Sequence, residues 1–197
     1  MRSSGGPGWA LLAVPALAGC AYVGSARGFD PAEFDRDPAW VAVRGILPVL
    51  QEGESDCGAA VLATVLRYWG VPTDRREVFE GCGSPAGGIR AEDLRAFVRG
   101  KGLQARLFEG TFEDLERELS KRRPVLVGTV KPHVTFVRTH YELVVGLHRG
   151  DRRVVTLDPA EGWRQNTWDG FLEEWRPARC LMMAVYRLEG PAAPPRG

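Results

Sequence analysis

In the run QEGESDCGAAVLATVLRYWG, residues 51–70, a cysteine sits between an acid and a glycine where a polar segment gives way to an apolar helical pattern. The thiolate, not the thiol, attacks a carbonyl carbon, and a helix N-terminus favours the thiolate through its unpaired N–H groups and its dipole. Cys57 stands at such a start, and Gly58 behind it removes a side chain that would crowd an approaching backbone. A nucleophile of this kind needs a group that takes and returns a proton near neutral pH, most often histidine. The chain offers His133, His140 and His148. His140 opens the alternating run HYELVVG, a placement at a sheet edge facing a cleft. His148 lies on the same face but about 27 Å further along the strand, and His133 follows Pro132 in a loop. Asp158 ends the run RVVTLD, and a hairpin centred near 150–151 sets residue 140 opposite about residue 160. Asp158 is then close enough across the ladder to orient the imidazole. Acyl transfer also builds negative charge on the carbonyl oxygen. The Gln51 side-chain amide and the Cys57 backbone N–H form a candidate donor pair for it. The competing reading makes Cys57 a buried core residue, as free cysteines commonly are, Asp158 a turn residue and Gln51 a surface one.

The elements around these residues fall into two halves. Residues 59–69 carry a broad apolar pattern that suits a helix buried on most sides, stopped by Gly70. Thr73 is positioned to cap a short helix through Gly81. Residues 91–99 form another, and Thr111 with Asp114 has capping-box spacing ahead of Leu115 and Leu119. This predicts a mainly helical first half. The second half changes period: PVLVGTV, YELVVGLHR, RVVTLD and CLMMAVYRL read as short strands, with a hairpin turn over 149–152 and one more helix over 168–175. The expected class is α+β, with N-terminal helices packed against a C-terminal antiparallel sheet and a cleft where the layers meet. The expected organisation is a segment 1–19, a tether 20–40, one domain over 41–189 and a disordered tail 190–197.

The 197 residues hold 26 Lys and Arg against 25 Asp and Glu. No cationic surplus marks a nucleic-acid partner, and the short run at 121–123 reads as a solvated helix end. Four cysteines without close Cys/His spacing give no metal site, and no cofactor is expected. Cys82 and Cys180 are either a disulfide or two free buried thiols. After Arg2 comes an apolar run of about eleven residues, too short to cross a ~30 Å hydrocarbon core. It ends in Leu17-Ala18-Gly19-Cys20, which resembles the lipobox of bacterial lipoproteins. That likeness implies cleavage before Cys20, lipidation of its thiol and a membrane anchor. Ala21 after the cysteine, rather than Asp, favours the outer membrane facing the periplasm. An ordinary cleaved signal or a start without an export role are the alternatives.

Taken together, Gln51 through Trp69, the glycine-rich GSPAGGI, the HYELVVG strand, the LDPAEG turn and the F..EW ending resemble the bacteriocin-processing (double-glycine leader) peptidase family of the papain-like cysteine peptidase fold. The likeness runs from about residue 45 to 188. It implies Cys57 as nucleophile, His140 as general acid and base, Asp158 as the group orienting His140, and Gln51 as oxyanion donor, acting on a peptide or protein substrate. It also suggests that Trp163 and Trp168 line the cleft near Asp158, core packing being the commoner fate of such tryptophans. Processing peptidases of that family are joined to a transporter's ATP-hydrolysing domain, whereas no G-x-x-x-x-G-K-[ST] phosphate loop occurs here. That departure counts against leader-peptide processing coupled to export, and the identity of any envelope or exporter partner stays open. The expectation is an envelope cysteine peptidase. The alternatives are an acyl or glutamyl transferase, a cell-wall endopeptidase, or a non-catalytic peptide-binding lipoprotein.

Overall fold

The computed structural model describes residues 24, 26–132 and 137–188. The segment 1–19, Cys20, His133 and the tail 190–197 lie outside the described residues. Among the described residues eight strands form one antiparallel sheet: β1 (Arg27–Gly28), β2 (Trp40–Ala42), β3 (Gln104–Glu109), β4 (Val125–Pro132), β5 (Val137–His148), β6 (Arg153–Asp158), β7 (Gly162–Thr167) and β8 (Leu181–Tyr186). Their order is β1-β7-β6-β5-β4-β8-β3, with β2 also paired to β5. The helices are α1 (Glu33–Arg36), α2 (Cys57–Tyr68), α3 (Arg75–Gly81), α4 (Ala91–Gly100), α5 (Phe112–Ser120) and α6 (Trp168–Trp175).

The α2 helix runs through the core: every residue from Cys57 to Leu66 is buried. Its apolar residues leave no solvent face, so it forms only with neighbours on all sides. Val61 and Thr64 line one small cavity together with Leu143 and Leu157 of the β5–β6 pair. The neighbouring residue on β5, Glu142, is bonded instead to Lys131, which also bonds Glu174 of α6. Because adjacent strand residues point to opposite faces, α2 and α6 cover opposite faces of the sheet.

Several expectations need correction. The tether over 20–40 is folded from at least residue 27 onward, because β1 pairs with β7, and β2 pairs with the second part of β5. Phe29, Phe34 and Trp40 are buried, and an added Cβ at Gly146 would meet the Phe34 ring at 2.7 Å. The glycine at the β5 bulge thus makes room for this N-terminal segment. The first half is mainly helical, as expected, and also contributes β1, β2 and the edge strand β3. Asp74, not Thr73, caps α3, accepting the Glu77 N–H at 2.7 Å. The Thr111–Asp114 capping box is present. Cys82 and Cys180 are both free thiols, one ending α3 and the other preceding β8, so no disulfide joins them. Trp163 packs on Phe29 and Phe34, and Trp168 stacks on Phe112 at 4.4 Å between centroids. Both rings serve packing.

Candidate active site

Cys57 is the first residue of α2, and Gly58 follows it under the Tyr141 ring. A Cβ at position 58 would lie 3.0 Å from that ring and 3.3 Å from Leu94. The glycine therefore eases close packing of α2, whatever it does for an approaching substrate. Cys57, Gly87, Gly88, Ile89, Thr139 and Tyr141 help line a cleft of about 360 Å³.

His140 is buried on β5, and its Nε2 lies 3.1 Å from Asp158 Oδ1. The hairpin register brings them together: Leu143 pairs with Leu157 and Val144 with Thr156, which extends to residue 140 opposite 160. Asp158 Oδ1 also accepts the Ala160 N–H at 2.7 Å, so the tight turn after β6 holds the carboxylate while it meets the imidazole. The other ring nitrogen, Nδ1, is buried without a conventional hydrogen-bond partner, and the Cys57 thiol lies within its electrostatic reach.

The electrostatics of the pair are consistent on both sides. Burial pushes the Cys57 thiol up, but the nearby His140 imidazole, helped by the Tyr141 and Gly58 backbone N–H groups, holds it below its ordinary value. Burial alone would depress His140. Asp158 on one side and Cys57 on the other instead push it up to about 10. Each partner favours the other's charged form, and the resulting titration belongs to the pair. Such an arrangement favours the thiolate–imidazolium form of the pair and can carry nucleophilic acyl transfer.

A family model described as the Peptidase C39 family matches residues 46–185, most of the chain. The chain belongs to the Peptidase C39 family. Among relatives of this C39 chain, an uncharacterized protein of Methanothermobacter marburgensis is 32% identical over 118 residues, covering 58% of this chain and 72% of that protein. The peptidase domain of Streptococcus ComA, a bifunctional ABC transporter involved in quorum sensing, is similar with a TM-score of 0.62 at 20% identity, over 73% of this chain and 99% of that one. A double glycine motif protease from an AMS/PCAT transporter, solved with its leader peptide, gives 0.59 at 21% identity over 74% and 94%. At these identities the two structures establish the fold alone. Membership of C39 makes the chain a cysteine peptidase of papain-like fold.

The remaining assignments fall in different places. Gln51 stands on the loop that leads into Cys57, and its side chain is occupied: its Nε2 donates to the Gly53 carbonyl at 3.1 Å, and its backbone N–H donates to the Pro159 carbonyl at 2.9 Å. His148 is elsewhere, bonded to Asp37 at 3.0 Å and accepting the Asp151 N–H on Nδ1 at 2.9 Å. It locks the N-terminal segment to the β5–β6 hairpin. Among the described residues no group of three His, Cys, Asp or Glu side chains is arranged to hold a metal ion. Two groups went unread in the sequence. One is Asp56 with Arg75, beside the cysteine. The other is the buried set of Lys131, Glu142 and Glu174. No spacing rule reveals either, because the partners come from different elements.

Proposed function

We propose that this C39 peptidase hydrolyses peptide bonds through a Cys57 acyl-enzyme, with His140 as general acid and base, Asp158 orienting His140, and Gln51 with the Cys57 backbone N–H receiving the carbonyl oxygen. The observation that carries the reading is the His140–Asp158 bond at 3.1 Å, with Nδ1 making no hydrogen bond and Cys57 within its electrostatic reach. The thiolate attacks the carbonyl carbon and the new oxyanion is met by N–H donors. The Nδ1 proton then passes to the leaving amine, and the C–N bond breaks. Water next gives a proton to His140 while its oxygen attacks the thioester, releasing the acid and the thiol. An amide nitrogen carries two hydrogens, so the bond from Gln51 Nε2 to Gly53 leaves a second N–H for the oxyanion. The double glycine motif protease was solved with a leader peptide, and the open cleft suits an extended peptide here. A quenched-fluorescence peptide library tests the reading. Cleavage by the wild type and its complete loss in Cys57→Ala is the expected result, and undiminished cleavage in that variant overturns it.

We also propose that lipid on Cys20 holds the enzyme at the cell envelope, on the outer membrane facing the periplasm. Residue 27 is already paired into the sheet, so a span of seven residues places the domain within about 25 Å of such an anchor. Several acyl chains on one residue bind a bilayer much more firmly than one. Intact-mass analysis of the mature protein is expected to show an acylated N-terminus at Cys20 that Cys20→Ser abolishes. A mature chain beginning elsewhere without lipid overturns the anchor.

A further inference from the structure

Asp56 immediately precedes Cys57 and occupies the N-cap position of α2, yet its side chain makes no cap bond to the helix. The carboxylate turns back over the preceding loop, where it accepts the Glu52 N–H at 3.2 Å and the Gly53 N–H at 3.1 Å. It is 3% exposed and ion-paired with Arg75 at the start of α3. The same guanidinium reaches the Glu52 carboxylate at 2.5 Å. Gly53 is held from its other side as well, because its carbonyl accepts Gln51 Nε2 at 3.1 Å. Finally, the Gln51 backbone N–H donates to Pro159, the residue after Asp158, at 2.9 Å. A continuous chain thus runs from Arg75 through Asp56 and Gly53 to the Gln51 amide, and from the Gln51 backbone to the turn that holds Asp158.

A buried carboxylate is costly unless it is paired and its lone pairs are filled. A neutral Ser or Asn would cap α2 without that cost. The charge is instead used to close the loop over 51–56, the loop on which Gln51 stands. Arg75 suits the task because its fork bonds two carboxylates at once, which an ammonium does with less geometric control. The geometry points to Asp56 and Arg75 as a positioning pair that aims the Gln51 amide at the oxyanion. This rests on the reading of Gln51 given above.

Two probes separate this role from a purely structural one. Iodoacetamide reacts at a saturated carbon: the C–S bond forms, iodide leaves, and no oxyanion develops. p-Nitrophenyl acetate reacts at a carbonyl: the C–S bond forms, an oxyanion develops, and p-nitrophenolate leaves as the S-acetyl enzyme appears. The double variant Asp56→Asn/Arg75→Met removes both charges together, so neither is left buried alone. It is expected to slow acetylation by about tenfold to hundredfold, the range of a misplaced catalytic group. Alkylation and its pH profile stay within about twofold, because the thiolate itself is untouched. In a Gln51→Ala background the same two substitutions change acetylation less than about twofold, since they act through the missing amide. Arg75→Lys, a milder change verified by thermal unfolding, is expected to follow the same pattern more weakly. If Gln51→Ala slows acetylation but the clamp substitutions add their full effect to it, the inference fails and the reading of Gln51 stands. If Gln51→Ala leaves acetylation unchanged, both fail. Equal loss with both probes in a folded Arg75→Lys variant also overturns the inference.

Discussion

Replacing His140 with alanine is expected to lower peptide hydrolysis by about 10³-fold, the scale of lost general acid–base catalysis, and to change how Cys57 titrates. The sign follows from what surrounds the thiol. Burial raises its pKa, and His140 is the leading influence that brings it below the ordinary value of 9.0. Without the imidazole, burial dominates and the inflection for alkylation by iodoacetamide moves to higher pH. Alkylation at pH 7 therefore falls in the variant relative to the wild type, whose thiol ionises at lower pH. The alkaline side of hydrolysis is set by the other partner. His140 is raised to about 10, so the proton needed by the leaving amine is present below that pH and lost above it. Hydrolysis is expected to follow a bell with its acid limb below 9.0 and its alkaline limb near 10, whereas alkylation rises once and stays high. A pH–rate profile for each reaction, in wild type and variant, checks both statements. Identical alkylation profiles would separate Cys57 from His140 electrostatically and end the assignment of the pair.

How far the sequence revealed this arrangement depended on whether a signal was local. The start of α2 at Cys57 follows from a polar-to-apolar transition within a few residues, and the α5 cap is written in Thr111 and Asp114 alone. The approach of His140 to Asp158 could be reasoned because one hairpin joins their strands, so turn position fixes register. The bulge between Val144 and Gly146 shifts the ladder by only one residue and leaves the approach intact. The missed strands lacked such signals. β7 is GWRQNT, with few β-branched residues, and becomes a strand through its partners β6 and β1. Among the described residues β3 pairs only with β8, and Ala105 is its single buried residue. The segment with Phe29, Phe34 and Trp40 looked like a tether because its proline, glycine and charge hide three aromatic anchors spaced irregularly. Packing against Trp163 and Gly146, more than a hundred residues later, decides its structure. The Asp56–Arg75 clamp is invisible for the same reason: its members are nineteen residues apart on different elements, and only the folded loop makes them neighbours.

The largest expected effect on stability lies beneath β5. Lys131 is 1% exposed and bonds Glu142 Oε1 at 2.6 Å and Glu174 Oε2 at 2.5 Å, both carboxylates being equally buried. Thr156 donates to the second oxygen of Glu142 at 2.6 Å, and Thr129 donates to Oε1 at 3.3 Å. Burial would depress the lysine, but the two carboxylates more than offset this and keep its pKa above the ordinary value. Lys131→Met preserves most of the side-chain length and packing while removing the cation that Glu142 and Glu174 share. The expected loss is about 3–5 kcal/mol, the scale for breaking a buried ion pair from one side, read from the midpoint of urea unfolding at unchanged m-value. Replacing all three members, Lys131→Met with Glu142→Gln and Glu174→Gln, is expected to recover a large part of that loss, since no ion is then left without its counterpart. A loss equal to that of Lys131→Met alone would mean that the cluster's contribution is shape and hydrogen bonding rather than charge balance. The cluster joins β4, β5 and α6, and Glu142 stands two residues from His140. Cys57 is carried by α2 on the other side of the assembly, so the relative placement of thiol and imidazole depends on how firmly β5 is held. Lys131→Met is therefore also expected to lower hydrolysis at temperatures where the variant is fully folded, and the triple variant to restore the two properties together.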